Sequence, residues 1–490
     1  MHANVHADRN EWRLPPDETL QVADPKAKKA EVGDEEELAL HEDEGHNWWS
    51  IIFSLLVIGL VISGIVAAIF LVGYVDELLY WHGQRMQLDE YLQGELTPRR
   101  LPPSWISHSH FVYQADDGSL AILDTSHNFT VTILVTNHTL VSLRDETKTF
   151  PQIALFQRQL NVKGYQCSKD LKYVLFQHNV KSVFRQSFTA QYTIYDVSKD
   201  HHIPVRLESS PKAQPETLQY VSWLGDTNSL LIVYNNDIYL RQSPSDETDT
   251  RLTFSGRPDV VYNGIPDWLY QEDVLKSPEA LWSSYDGTHL LYATFNDSDV
   301  GILNFPWFKT EAVLPANKAA SRAPSFPASK TVRYPTPGAT NPTVRLWVLD
   351  ISNLTDLHSR MVKPPQALVG QDYYLTSAGW IGQKNTQVSV VWMNRAQNLS
   401  IISACLAPNW TCIETHAERA AERAWLDIQE HPVFSPDGDS FLMLAAVQEG
   451  SRESYTHIKH VTVTQQHIAV LSHGRHEVDR ILSWDNVSHL

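Results

Sequence analysis

The chain has 490 residues, with 57 acidic against 39 basic side chains and a formal net charge of −18. That balance excludes nucleic acid as a partner, because gripping phosphate takes a basic face. Three cysteines and 22 histidines offer no second pair at finger spacing, so neither zinc nor any other cofactor is expected.

Residues 1–47 are polar and acidic, and they lack the aromatic and β-branched side chains that would offset ordering entropy. A disordered tail is expected there. Residues 48–75 read WWSIIFSLLVIGLVISGIVAAIFLVGYV and carry no charge. The run exceeds the roughly 20 apolar residues that cross a bilayer as a helix. It is too long and too far from the N-terminus for a cleaved signal. Trp48, Trp49 and Tyr74 stand where amphipathic rings meet the headgroups. Gly59, Ser63 and Ala67 form a small-residue row that either contacts another membrane helix or simply faces lipid. Basic residues near the helix do not decide its orientation: Lys26, Lys28 and Lys29 lie on one side and Arg85 on the other. Glycosylation acceptors do. Asn128, Asn137, Asn296, Asn353, Asn398, Asn409 and Asn486 all follow the helix and none precedes it. The pattern predicts a type II protein with a glycosylated outer domain.

Residues 76–104 read as a partly helical stalk closed by Pro102 and Pro103. From Trp105 the texture is all-β, with short apolar runs between turns. A tight polar turn followed by an apolar strand recurs as SKDLKYVLF from Ser168, GDTNSLLIVY from Gly225, SYDGTHLLYATF from Ser284, GQKNTQVSVVW from Gly382 and SPDGDSFLML from Ser435. The spacing of roughly 50–60 residues is that of β-propeller blades, each sheet covering its neighbour's face. The longer interval after Ser284 has room for two units. Residues 309–342, rich in Pro, Ala, Ser and Lys, read as a loop. Cys405 and Cys412 bracket LAPNWT. They either staple a hairpin in an oxidising compartment or remain free thiols. Cys167 is expected as a small apolar core residue.

One segment carries candidate chemistry, YNGIPDWLYQED, from Tyr262 to Asp273. Glu272 and Asp273 are adjacent carboxylates after two large aromatics, and such a pair can hold an ammonium group by charge-assisted hydrogen bonds. Ordinary surface acids on a turn give the same spacing. His108, His110, His201 and His202 stand in turn-like contexts without metal-ligand spacing.

Several segments together extend this. NGIPDWLYQED, ALWSSYDGTHLLYATFNDSDV, YPTPGATNPTVRLWVLD, WMNRAQNLSI, HPVFSPDGDSF and VKSVFRQSFTAQYTIYD resemble, in order and spacing, the propeller domain of the dipeptidyl peptidase IV family. The resemblance covers about residues 105–490 and implies a type II anchor, an eight-bladed propeller and a homodimer. In the active peptidases the DW-x-Y-E-E-E motif holds the substrate's free N-terminus. Glu272 and Asp273 match its last two acids, Asp273 being one methylene shorter, and Gln271 replaces the first. The family's substrate-binding arginine, two residues before S-[YF]-T-A-x-Y, corresponds to Arg185, which can contact a peptide carbonyl or carboxylate.

The family has a second branch of inactive relatives that serve as auxiliary subunits of A-type voltage-gated potassium channels. The spacing of Cys405 and Cys412 and the sequence NRAQN resemble that branch, whereas Arg185 resembles the enzymes. No G-x-S-x-G elbow, the nucleophile motif of the family's α/β-hydrolase domain, occurs in the 490 residues. The expectation is therefore an incomplete propeller, with two blades and the hydrolase domain beyond Leu490. It would act by binding at the plasma membrane, without catalytic residues of its own. The alternative is a fragment of a surface serine dipeptidyl peptidase that releases Xaa-Pro or Xaa-Ala dipeptides.

Overall fold

A computed structural model describes residues 47–73, 86–92, 103–136, 162–207, 217–308, 327–450 and 453–485, apart from positions 108, 116, 127, 429, 465 and 466. The expected tail, most of the stalk, Asn137 and Asn486 lie outside the described residues. The chain divides into two units, residues 1–97 and 98–490.

In the first unit Trp48–Gly73 is one α-helix. Its 26 residues span about 39 Å at 1.5 Å per residue, enough for the hydrocarbon core of a bilayer. The stretch Trp48–Ile69 has a mean hydropathy of 2.8 and none of it is buried by protein. Leu88–Leu92 forms one further helical turn.

The second unit is a β-propeller of consecutive antiparallel sheets. Among the described residues these are blade 1 (104–135), blade 2 (162–204), blade 3 (220–251), blade 4 (261–362), blade 5 (373–419) and blade 6 (433–470). Apolar side chains fill the gaps between consecutive blades, and period-2 alternation explains how. Leu230 and Ile232 point toward blade 2, while Leu231 and Val233 point toward blade 4. In blade 4, Leu290 and Tyr292 pack on blade 3, while Leu291, Ala293 and Phe295 pack toward blade 5. Such strands read as continuous apolar runs because both faces are covered.

The recurring turn has a local cause. The Ser168, Ser284 and Ser435 hydroxyls donate to Asp170, Asp286 and Asp437 at 2.8, 2.8 and 2.6 Å. The same hydroxyls accept the N–H groups of Tyr173, His289 and Ser440. Each aspartate accepts a backbone N–H two residues on, from Lys172, Thr288 and Asp439. Gly287 and Gly438 supply the positive φ that closes two of these turns. Neighbouring blades are tied together near the turns. The Asn228 amide donates to Asp170, and the Tyr285 N–H donates to Asn385.

Two expectations need correction. The long interval after Ser284 holds one blade, not two, because a separate hairpin is inserted between its strands: Ile302–Trp307 paired with Ala328–Arg333. Residues 328–333, expected as loop, are therefore a strand. Their alternation of small and β-branched residues is too brief to stand out from the Pro- and Ala-rich sequence before it. Cys405 and Cys412 face each other on adjacent strands of blade 5 and form a disulfide. Cys167 is half-buried against the core between blades 1 and 2, and burial pushes its thiol up to about 12.

Candidate amine-binding site

The first strand of blade 4 is broken in two. Val261–Asn263 and Leu281–Ser283 both pair with His289–Asn296, and the backbone between them leaves the sheet. The gap is bridged by Gly264 and Ala280: Gly264 N–H donates to the Ala293 carbonyl and Ala280 N–H to that of Gly264. Gly264 has φ +73°, and a Cβ there would meet Ile238 and Leu281 at about 3 Å. Only glycine fits this exit. The excursion 265–279 contains every acidic residue singled out in the segment.

Asp267 starts it. Its carboxylate accepts the Leu269 N–H at 2.8 Å, and its carbonyl accepts the Gln271 N–H at 3.0 Å. The chain then forms a π-helical turn, Tyr270–Val274. Tyr270 is fully buried and stacks on Phe295 with ring centroids 4.5 Å apart, and its hydroxyl accepts the Leu375 N–H. The turn is thus anchored to blades 4 and 5, and the residues after Tyr270 are displayed in fixed order. Trp268 leans on Tyr334 at 4.3 Å.

Gln271 and Glu272 reach across to blade 2. The Gln271 side-chain carbonyl accepts the Ser187 N–H at 2.9 Å, and a Glu272 carboxylate oxygen accepts the Arg185 N–H at 2.9 Å. Both donors lie in the loop between strands Tyr173–Ser182 and Phe188–Asp196. The structure therefore brings Arg185 and Glu272 into direct contact, though through the arginine backbone. The rest of Arg185 and Asp273 are exposed, beside a half-exposed Glu272. A cavity of about 160 Å³ adjoins them, lined by Phe184, Ser187, Gln219, Tyr262, Trp268 and Gln271. Arg185, Glu272 and Asp273 are not among its lining residues, whereas Gln271 is.

Gln271 was singled out in the sequence only as a departure from a motif, yet it positions the loop as directly as Glu272 does. Asp267 escaped notice, although an aspartate two residues before an N–H it can accept is a recognisable turn signal. Asp297, the residue after the acceptor Asn296, is 1 % exposed. Asn128, Asn296, Asn353, Asn398 and Asn409 are all exposed. His110 bonds Ser107 and Ser109, and His202 packs on Tyr195. No cluster of three metal-ligating side chains exists among the described residues.

Comparison with known proteins now has a geometry to fit. The model of the dipeptidyl peptidase IV N-terminal region matches residues 168–490. The chain belongs to the dipeptidyl peptidase IV family. Similar relatives include inactive dipeptidyl peptidase 10 of Rattus norvegicus, 33% identical over 460 residues that cover 92% of this chain and 52% of the relative. Dipeptidyl peptidase 4 of Bos taurus is 27% identical over 440 residues, covering 88% and 52%. A crystal structure of Porphyromonas gingivalis dipeptidyl peptidase 4 matches with a TM-score of 0.63 at 17% identity, over 82% of this chain and 51% of that one. This likeness supports the propeller fold alone. The chain spans about half the length of the curated relatives it matches. Family membership leaves both active and inactive relatives in view.

Proposed function

We propose that this chain is the anchored propeller portion of a type II plasma-membrane glycoprotein that acts by binding, as a regulatory subunit of an A-type voltage-gated potassium channel. Its outer site holds peptide amino groups. One observation carries this reading: the acidic turn is spent on its own scaffold. Gln271 and one oxygen of Glu272 hold the loop of blade 2. The second Glu272 oxygen and the shorter Asp273 remain to grip an ammonium, with the Arg185 guanidinium for a peptide carbonyl or carboxylate. These groups bind and orient; they break no bond. The somewhat higher identity to an inactive relative than to the bovine dipeptidyl peptidase 4 points the same way. Homodimerisation through the ectodomain fits the family and belongs to the same proposal.

The membrane helix provides the test. Replacing Gly59, Ser63 and Ala67 together with leucine should reduce co-purification with the channel at least tenfold while leaving surface expression intact. Undiminished co-purification would remove that helix face from the interaction. A second reading, the binding half of an active dipeptidyl peptidase, is favoured by the presence of Arg185, which resembles the enzymes' substrate-binding arginine. It requires Glu272→Ala to abolish dipeptide release by the protein expressed from its native transcript. An absence of release from the unaltered protein counts against it.

A further inference from the structure

Behind the acidic turn lie two carboxylates that the amine site does not use. Asp267 and Asp297 are each 1 % exposed. One oxygen of Asp267 and both oxygens of Asp297 have no hydrogen-bond partner among the described residues. Among the described residues no cation donates a hydrogen bond to these oxygens. The Arg333 guanidinium, at the end of the inserted hairpin, donates to the backbone carbonyls of Asp259, Asp297, Ser298 and Val300 rather than to a carboxylate. Tyr262, from the entry to blade 4, faces both carboxylates, and Tyr270, on the turn itself, faces Asp267. Asp259 faces Tyr262. The two tyrosines stay neutral, because burial and these carboxylates both raise their phenols.

A buried carboxylate with empty lone pairs is expensive to keep ionised, and a second buried acid acting on it makes it more so. Either a proton or a cation must offset that cost. Two carboxylates without a third acidic, histidine or cysteine ligand make a poor cation site. We propose that the buried acids Asp267 and Asp297 hold a proton at neutral pH, and that this proton holds the Tyr270–Val274 turn in place, so that alkaline pH releases it. Burial pushes Asp267 up to about 7. Burial, reinforced by the charge of Asp267 and opposed by Arg333, pushes Asp297 up to about 8. Loss of the proton sets the charge of Asp267 against that of Asp297. Asp267 begins the turn through the Leu269 N–H, so the strain passes to Gln271 and Glu272 and from them to the blade 2 loop. The consequence for amine binding rests on the function proposed above; the proton itself does not, and it is tested without any amine ligand.

For an acid whose folded pKa is raised, the native state binds more protons than the unfolded chain, and stability is lost as pH rises through the folded value. The full-length chain in detergent should therefore melt several degrees lower at about pH 8 than at about pH 5, the loss running from the unfolded value near 4 up to the folded value and levelling off above it. Asp297→Asn should flatten that window. Infrared spectra should show a protonated carboxyl band at neutral pH that disappears above about pH 8 and is missing in Asp297→Asn. If the variant does not fold, the band in the unaltered protein and its loss with pH carry the test. A melting point independent of pH through this window, or no protonated carboxyl band at neutral pH, overturns the proposal. So does a calcium-dependent rise in melting point that Asp297→Asn abolishes, which would place a cation between the pair.

Discussion

Asp170 and Asp267 begin the same kind of turn and end in opposite electrostatic states. Each accepts a backbone N–H two residues on. Asp170 stands at the rim of blade 2. There the partial burial that would raise it is outweighed by hydrogen bonds from Asn228, Lys172 and Ser168, which hold its carboxyl well below the usual carboxylate range. Asp267 stands inside blade 4, fully covered, with one oxygen unmatched and a second buried acid acting on it. The local motif sets the turn, and burial together with the available donors sets the charge. The propeller repeats the first arrangement at Asp286 and Asp437. It uses the second where the first strand of blade 4 leaves the sheet.

The largest effect should come from removing the anchor of that excursion. Tyr270→Ala leaves a cavity in the core between blades 4 and 5, and should cost about 3–5 kcal/mol in chemical denaturation. It should also free the loop of blade 2, seen as faster amide exchange at Arg185 and Ser187. A loss under about 1 kcal/mol would mean that the turn is not held through Tyr270. The smaller effect lies on the acid side. Asp170 has a lowered folded pKa, so its contribution is present above about pH 4 and disappears as pH falls further. Asp170→Asn should weaken the acid dependence of melting below about pH 4 without touching the decline between about pH 5 and 8, whereas Asp297→Asn should do the reverse. If both variants altered the same limb, the contrast between the two turns would fail.

The propeller was legible in the sequence because its repeated unit is local. Ser168, Ser284 and Ser435 with their aspartates form the turn within six residues, so spacing alone displays the blades. The interval after Ser284 misled because the hairpin Ile302–Trp307 with Ala328–Arg333 extends a blade without adding one. At the candidate site Glu272, Asp273 and Arg185 were singled out by resemblance. Their geometry was not legible. Arg185 meets Glu272 through a backbone N–H, a contact between residues 87 positions apart in the chain. Asp297 lies between the exposed Asn296 and Ser298 of a glycosylation acceptor, and the alternation of the strand leading to it turns its carboxylate inward. Burial of a single polar side chain is a tertiary property, and short motifs do not encode it.

The central claim is that the turn and the loop of blade 2 together hold a peptide amino group. Calorimetric titration of the full-length chain in detergent with a short peptide, free or acetylated at its N-terminus, tests it most directly. The account predicts binding of the free peptide only, weakened about tenfold by Glu272→Gln, as expected for the loss of one charge-assisted contact of about 1.4 kcal/mol. Equal binding of the two peptides, or affinity unchanged in Glu272→Gln, would contradict it.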